Sequence, residues 1–154
     1  MYIGVIGSGQ CDNKTAKIAY EIGRNIAKKG GILICGGLGG VMEAACKGAK
    51  DARGLSVGIL PSKTRKHANP FIDIAIPTGM SEARNALVVR ASDAVIAVGE
   101  EFGTLSEIGL ALKMNKPVVG IGTWELSKEG KPIESIILVK GPFEAVEEVF
   151  RLVR

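Results

Sequence analysis

The chain is 154 residues long, with 46% hydrophobic residues, 5% aromatic residues and a formal net charge of +4 at pH 7. This length suits one domain with a full hydrophobic core, and no linker-like tract interrupts it, so a single domain over residues 1–154 is predicted. The mild charge and the scarcity of aromatic side chains disfavour a nucleic-acid-binding protein, and no apolar run approaches the ~20 residues of a membrane span.

Short apolar runs alternate with segments of helical periodicity, which is typical of βαβ units and a parallel sheet. Strands are predicted, in chain order, at residues 2–6, 32–35, 55–60, 73–76, 94–98, 117–121 and 136–139. Helices are predicted at residues 13–29, 41–52, 81–91 and 104–115, and a last helix begins at Pro142. The strands are almost continuously apolar, which indicates burial on both faces. We therefore predict an α/β, three-layer Rossmann-like fold with a mostly parallel sheet and helices on both faces.

The cysteines and the single histidine lack the spacing of a metal site. Cys11, Cys35 and Cys46 are an odd number without local ligand pairs, and His67 stands alone in a polar, basic loop. The chain also starts without the charged n-region of a secretory signal. These features predict a reduced, cytoplasmic protein without a metal site.

Three glycine-containing loops follow predicted strands and lead into helices: Gly7–Asn13, Gly36–Gly40 and Gly99–Thr104. Glycine lets the backbone approach a ligand closely, and the free N–H groups of a helix N-terminus favour an anion. In any single loop, glycines that merely turn the chain are an equally good interpretation. Three such loops at successive strand ends predict a site for a nucleotide or another phosphorylated small molecule. Neither the dinucleotide-binding motif nor the P-loop motif is present, so a standard NAD site or P-loop is not predicted.

Three segments resemble the LOG-like superfamily: Gly36–Ala49 (GGLGGVMEAACKGA), Met80–Val98 (MSEARNALVVRASDAVIAV) and Glu100–Ile121 (EEFGTLSEIGLALKMNKPVVGI). This superfamily includes molybdenum-cofactor carrier proteins and is related to DprA. The resemblance implies a Rossmann-like fold and a homodimer or homotetramer. It implies either cleavage of the N-glycosidic bond of a nucleoside 5′-monophosphate or, as an alternative, a non-catalytic carrier or sensor of a phosphorylated cofactor. A DprA-like module for single-stranded nucleic acid is less favoured, and no resident cofactor is required.

The site residues implied by the resemblance divide into a catalytic pair and a phosphate-binding group. The family arginine falls on Arg84 and the glutamate of the signature Pro-Gly-Gly-x-Gly-Thr-x-x-Glu falls on Glu107. In the implied reaction Glu107 stabilises the developing positive charge on the sugar or orients water, while Arg84 holds sugar or phosphate oxygens. The implied ligand- and phosphate-binding residues are Gly7, Ser8, Gly36, Gly37, Gly39, Gly40, Gly103 and Thr104.

Three features leave alternatives open. The signature's Pro-Gly-Gly is Gly99-Glu100-Glu101 here, and the two carboxylates weaken the inference of hydrolysis. Thr104 and Glu107 also have the spacing of a helix capping box, which needs no ligand. Arg84 has a structural interpretation too, as a solvated residue on a helix face.

Overall fold

A computed structural model describes residues 1–153, which form a seven-stranded parallel sheet, a separate two-stranded hairpin and five α-helices. The strands are β1 (Tyr2–Gly7), β2 (Ile32–Cys35), β3 (Leu55–Leu60), β4 (Ile74–Pro77), β5 (Ala94–Val98), β6 (Val118–Ile121), β7 (Leu126–Lys128), β8 (Lys131–Ile133) and β9 (Ile136–Leu138). The helices are α1 (Asn13–Lys28), α2 (Val41–Asp51), α3 (Asn85–Ala91), α4 (Phe102–Lys113) and α5 (Pro142–Leu152).

The sheet has the strand order β4-β3-β2-β1-β5-β6-β9, and every pairing in it is parallel. The direction in which strands are added reverses between β1 and β5. In open parallel sheets this switch point opens a crevice at the carboxyl ends of the strands, which is where such folds bind ligands.

Side chains that alternate along the buried strands form two hydrophobic cores, one on each face of the sheet. In β5, Ile96 and Val98 pack with α1, α2 and α5, whereas Val95 and Ala97 pack with α3 and α4. Because successive strand residues point to opposite faces, an unbroken apolar run supplies both cores. The predicted three-layer Rossmann-like fold is therefore confirmed.

Helices α1 and α2 approach each other through glycines. A Cβ atom on Gly23 of α1 would lie 1.9 Å from the carbonyl oxygen of Ala45, and one on Gly48 of α2 would lie 1.9 Å from that of Tyr20. The two helix backbones are thus in direct contact. This contact fixes α2 and, with it, the glycine loop that precedes it.

Three details differ from the prediction. The segment predicted as one helix from Ser81 begins as a 3-10 turn, Ser81–Arg84, before α3. Helix α4 begins at Phe102 instead of Thr104. The hairpin β7–β8 was not predicted because its strands are only three residues long. Its turn residues Glu129 and Gly130 both have positive φ, and the Glu-Gly pair was the available signal.

Within residues 1–153, no helix combines the length and the apolar character that crossing a membrane requires.

Candidate functional site

A cavity of about 460 Å³ lies at the switch point of the sheet, where the loops after β1, β2 and β5 meet. The 3-10 turn before α3 and the first two turns of α4 complete its wall. Its volume is within the range of small-molecule sites. The polar and glycine lining residues are Gly7, Ser8, Gly9, Gln10, Gly36, Ser81, Glu82, Arg84, Asn85, Glu101, Gly103, Thr104 and Glu107, and the apolar ones are Val5, Ile6, Leu38, Met42 and Pro61.

Seven of the ten predicted site residues lie together at this cavity. They are Gly7, Ser8, Gly36, Arg84, Gly103, Thr104 and Glu107. The loop that follows β2 thus reaches the cavity with its first residue, Gly36, and with Leu38.

The other three predicted residues, Gly37, Gly39 and Gly40, are not part of the cavity lining. Gly37 has a φ of +76° and lies against Leu60 of β3. Gly40 has a φ of +61°, and a Cβ there would lie 2.3 Å from the carbonyl oxygen of Ser8. A Cβ on Gly39 would lie 3.0 Å from the carbonyl oxygen of Gly9, which follows Ser8 in the loop after β1. Gly39 and Gly40 thus let the loop after β2 pack closely on the loop after β1, and Gly37 lets it pack on β3.

The floor of the cavity holds an ion pair. A guanidinium nitrogen of Arg84 is 3.7 Å from a carboxylate oxygen of Glu107, and the two side chains are only 9% and 8% exposed. Arg84 also donates hydrogen bonds to the carbonyl oxygen of Gly36 (3.3 Å) and to the side-chain oxygen of Asn85. Its Nε has no hydrogen-bond partner within residues 1–153. The interpretation of Arg84 as a solvated surface residue is therefore wrong.

Burial dominates the electrostatics of this pair. Desolvation raises the pKa of Glu107 to about 7, and the nearby charge of Arg84 offsets only part of that effect. Desolvation also lowers the pKa of Arg84, although that group stays cationic at neutral pH. A carboxyl group with this pKa exchanges its proton near neutral pH, which is the property required of a general acid or base.

The raised pKa of Glu107 makes a testable contribution to stability. Its folded value of about 7 lies above the unfolded value of 4.5, so the free energy of unfolding falls as pH rises between these values. The Glu107→Gln variant resembles the protonated form. It should match the wild type near pH 4 and be more stable by up to roughly 3 kcal/mol near pH 8. Urea unfolding of both proteins at the two pH values measures the difference, and a gap independent of pH would contradict the assignment.

Thr104 is a buried polar residue in the wall of the cavity. It is the third residue of α4, is 2% exposed, and its Oγ1 has no hydrogen-bond partner within the described residues. The residue at the N-cap of α4 is Glu101, and the carboxylate of Glu107 faces Arg84. The capping-box interpretation is therefore wrong. A buried hydroxyl without a partner costs free energy unless a ligand or water satisfies it.

Carboxylates surround the single buried cation. Glu82 and Glu101 line the cavity with Glu107, and Arg84 is the only cation among the described residues that line it. Glu100 borders a neighbouring cavity of about 310 Å³ instead, together with Cys11, Asp12 and Glu101. Of the two carboxylates that replace the signature glycines, only Glu101 therefore reaches the candidate site. An anionic group of a ligand fits best beside Arg84 and Thr104.

The sequence did not predict several residues that line the cavity, among them Gln10, Met42, Ser81, Glu82 and Asn85. Met42 comes from the first turn of α2, where an apolar residue ordinarily indicates core packing, so the sequence held no signal for it. Asn85 had a signal, since it directly follows Arg84. Its side chain joins Arg84 to the hydroxyl group of Ser106 in α4.

In residues 1–153, the histidine, cysteine and acidic side chains form no group of three or more that could hold a metal ion. His67 lies exposed in a 3-10 turn.

Comparisons with known proteins agree with the fold and give the site a context. The profile of the SLOG cluster4 family matches residues 1–146. An uncharacterized protein of Archaeoglobus fulgidus is 51% identical over 146 residues, which is 95% of this chain and 92% of that protein.

Solved structures with the same fold include two proteins that are named after the molybdenum cofactor. The molybdenum cofactor binding protein of Rippkaea orientalis is 37% identical, with a TM-score of 0.90 over 99% of this chain and 97% of that one. The molybdenum cofactor carrier protein of Chlamydomonas reinhardtii is 34% identical, with a TM-score of 0.86 over 99% and 97% of the two chains. DNA processing protein A of Helicobacter pylori is 18% identical, with a TM-score of 0.74 over 100% and 82%, and this likeness concerns the fold alone.

Proposed function

The chain belongs to the SLOG cluster4 family, and from that premise we propose that it binds and carries the molybdenum cofactor without cleaving it. The observation that carries the proposal is the cavity wall, which contains the buried cation of Arg84 and the hydroxyl group of Thr104, which has no partner among the described residues. The likeness to two molybdenum-cofactor proteins over 99% of this chain supports the choice of ligand.

The phosphate end of the ligand belongs at the floor of the cavity. The molybdenum cofactor is a pterin that bears a phosphate group and holds molybdenum through two sulfur atoms. Arg84 offers donors in a planar fork, including an Nε without a partner, and Thr104 offers a hydroxyl donor. Charge-assisted hydrogen bonds of this kind are the strong ones in binding sites. A phosphate at this wall would give both groups a partner after small movements of the two buried side chains.

The ring system of the ligand would occupy the rest of the cavity. Leu38 and Met42 give the cavity an apolar wall, and Ser8 and Gln10 add polar groups from the loop after β1. A flat ring with hydrogen-bonding edges suits such a mixed surface.

Retention of the ligand suits the acidic replacements better than hydrolysis does. Glu101 stands where LOG-like hydrolases have a glycine, and its carboxylate borders the cavity. A negative charge at this place weakens the attraction of the N-terminus of α4 for a phosphate, so the positive charge of the site comes from Arg84. The glycines of the hydrolase signature are absent here, which weakens the inference of hydrolysis.

A second candidate function is hydrolysis of the N-glycosidic bond of a nucleoside 5′-monophosphate. The observation that favours it is the buried Glu107, which has a pKa of about 7 and faces Arg84. In this reaction Glu107 would stabilise positive charge on the sugar or orient the attacking water.

One experiment separates the two functions. Purified protein is mixed anaerobically with molybdenum cofactor released from a molybdenum enzyme, and a second sample is incubated with a panel of nucleoside 5′-monophosphates. Under the carrier proposal, pterin and molybdenum co-elute with the protein in equimolar amounts and no free base appears. Release of free base that disappears in Glu107→Ala would establish the hydrolase. If the cofactor does not co-elute with the protein and no free base is released, both candidates are overturned.

Replacing Thr104 by valine separates binding from stability. We expect the affinity for the molybdenum cofactor to fall by about tenfold, because one hydrogen bond to a charged group is lost. The free energy of unfolding should stay the same or rise by up to about 1 kcal/mol, since valine removes a buried hydroxyl that lacks a partner. Binding titrations and urea unfolding measure the two effects.

The matched control for this variant is Thr123→Val. Thr123 also has a buried hydroxyl without a partner among the described residues, but it lies after β6 and outside the cavity. Its substitution should leave the affinity unchanged. An equal loss of affinity in both variants would show that the effect does not come from the cavity.

Assembly into a homodimer or homotetramer remains a prediction from the family resemblance, and light scattering of the purified protein measures it. The predicted cytoplasmic location likewise remains a prediction.

A further inference from the structure

Two buried thiols lie beneath the loop that joins β2 to α2. Cys35 is the last residue of β2 and Cys46 lies on α2, and both are fully buried free cysteines. Their sulfur atoms are 3.5 Å apart, within hydrogen-bond contact. A disulfide bond requires about 2.05 Å, so the two sulfur atoms would have to approach each other by about 1.5 Å to form one.

The sulfur of Cys35 is tied directly to the candidate site. It accepts a hydrogen bond from the N–H group of Gly37 at 3.3 Å. The residue between them, Gly36, lines the cavity and accepts a hydrogen bond from Arg84 through its carbonyl oxygen. Space around Gly36 is tight, because a Cβ atom there would lie 2.5 Å from the guanidinium of Arg84. Moving the Cys35 sulfur toward Cys46 therefore disturbs the loop that positions Arg84.

We propose that Cys35 and Cys46 form a reversible disulfide with a peroxide as oxidant, and that this bond weakens ligand binding in the adjacent cavity. The statement about ligand binding rests on the proposed function, whereas the statement about the disulfide does not.

The reaction balances with hydrogen peroxide as the two-electron oxidant. The thiolate of Cys46 attacks one peroxide oxygen, the O–O bond breaks, and sulfenic acid and water form once the departing hydroxide is protonated. The sulfur of Cys35 then attacks the Cys46 sulfur, forms the S–S bond and expels the second water. Two thiols are thereby oxidised to one disulfide, and one peroxide is reduced to two waters.

The surroundings of the two thiols give them different roles. Hydrogen bonding from Cys35 lowers the pKa of Cys46, with further contributions from Asn69 and Ser56, against an opposing effect of burial. The same hydrogen bond and burial raise the pKa of Cys35. The directions of these shifts favour Cys46 as the group that meets the oxidant, and Cys35, whose sulfur is 3.5 Å away, as the group that resolves the sulfenic acid.

Cys11 supplies an internal control. It lies in the loop after β1, is partly exposed, and its pKa is raised by burial and by the charge of Asp12. A reaction that follows exposure alone would modify Cys11 first. The proposal instead predicts selective linkage of the buried pair, at a rate set by opening of the loop.

The test is to treat the full-length protein with hydrogen peroxide and to compare it with Cys11→Ser and Cys46→Ala. Intact mass and peptide mapping should show a Cys35–Cys46 linkage with a loss of about 2 Da, reversed by a thiol reductant, in the wild type and in Cys11→Ser. Cys46→Ala should show no such loss. If Cys11 is modified and the buried pair stays reduced, the proposal is overturned.

The effect on the site is measured with the molybdenum cofactor as the probe. Oxidation should lower the affinity of the Cys11→Ser protein for the cofactor by about tenfold, which is the loss expected for one charge-assisted hydrogen bond. The affinity of Cys46→Ala should not change on oxidation. By reciprocity, saturating probe should shift the thiol–disulfide equilibrium toward the two thiols by the same factor. Equal affinity of the oxidised and reduced forms would overturn the coupling. Absence of binding by the reduced protein would overturn the proposed function instead, while the mass measurement still decides whether the disulfide forms.

Discussion

Substituting methionine for Arg84 is expected to reduce the affinity for the molybdenum cofactor by about a hundredfold or more. The loss corresponds to roughly 3 kcal/mol, since the guanidinium offers two or more charge-assisted hydrogen bonds to a phosphate at a buried position. No other cation among the described lining residues can take its place. Titration of the reduced protein with the cofactor measures the effect.

The variant should remain folded, because Glu107 adapts to the lost charge. Arg84 lowers the pKa of Glu107, so its removal raises that pKa further above about 7 and leaves the carboxyl group uncharged at neutral pH. Arg84→Lys is the matched control, since it keeps the charge but loses the planar fork, and it should bind with intermediate affinity. If Arg84→Met is folded by circular dichroism and binds as tightly as the wild type, the cavity floor is not the phosphate site.

Replacing Gly23 by alanine is expected to lower the free energy of unfolding by about 3 kcal/mol or more. The new methyl group would lie 1.9 Å from the carbonyl oxygen of Ala45, which is a backbone atom and cannot rotate away. Helices α1 and α2 would have to separate, at the cost that overpacked cores show. Since α2 follows the Gly36–Gly40 loop, affinity for the cofactor should fall as well. Urea unfolding and cofactor titration measure the two effects.

The matched control is Gly109→Ala, for which we expect the free energy of unfolding to rise instead of fall. Gly109 lies inside α4, and a Cβ atom there would meet nothing within 4 Å. Alanine should therefore stabilise the protein by up to about 1 kcal/mol through helix propensity alone. Destabilisation of similar size in both variants would mean that helix packing does not explain the effect at Gly23.

Under the proposed carrier function, the charges of the site would hold a ligand with moderate strength. One buried cation faces Glu107, whose proton is exchangeable near neutral pH, and Glu101 stands at the edge of the cavity. A protein that must hold and then release a phosphorylated cofactor needs an anion site that is specific but has only a moderate positive potential. Glu107 supplies such a balance, because its ionisation alters the field at Arg84.

The location of the site was predictable from local patterns, but its chemistry was only partly so. Glycine loops after successive strands place the cavity, because parallel strands end at the same edge of the sheet. The roles of Gly37, Gly39 and Gly40 were not predictable, because their close contacts are with the neighbouring strand and loop. The spacing of Thr104 and Glu107 suggested a capping box, yet α4 begins two residues earlier than predicted.

The sequence by itself determined the three-layer fold, since the periods of strands and helices dictate which faces are buried and short connections leave few topologies. Only the tertiary structure decided which distant residues meet. Arg84 and Glu107 form a buried pair because α3 and α4 pack side by side on the same face of the sheet. Gly23 brings α1 against α2, and Cys35 meets Cys46 across the strand–helix interface. Such contacts depend on how whole elements pack and exclude water, and no local pattern of residues encodes that.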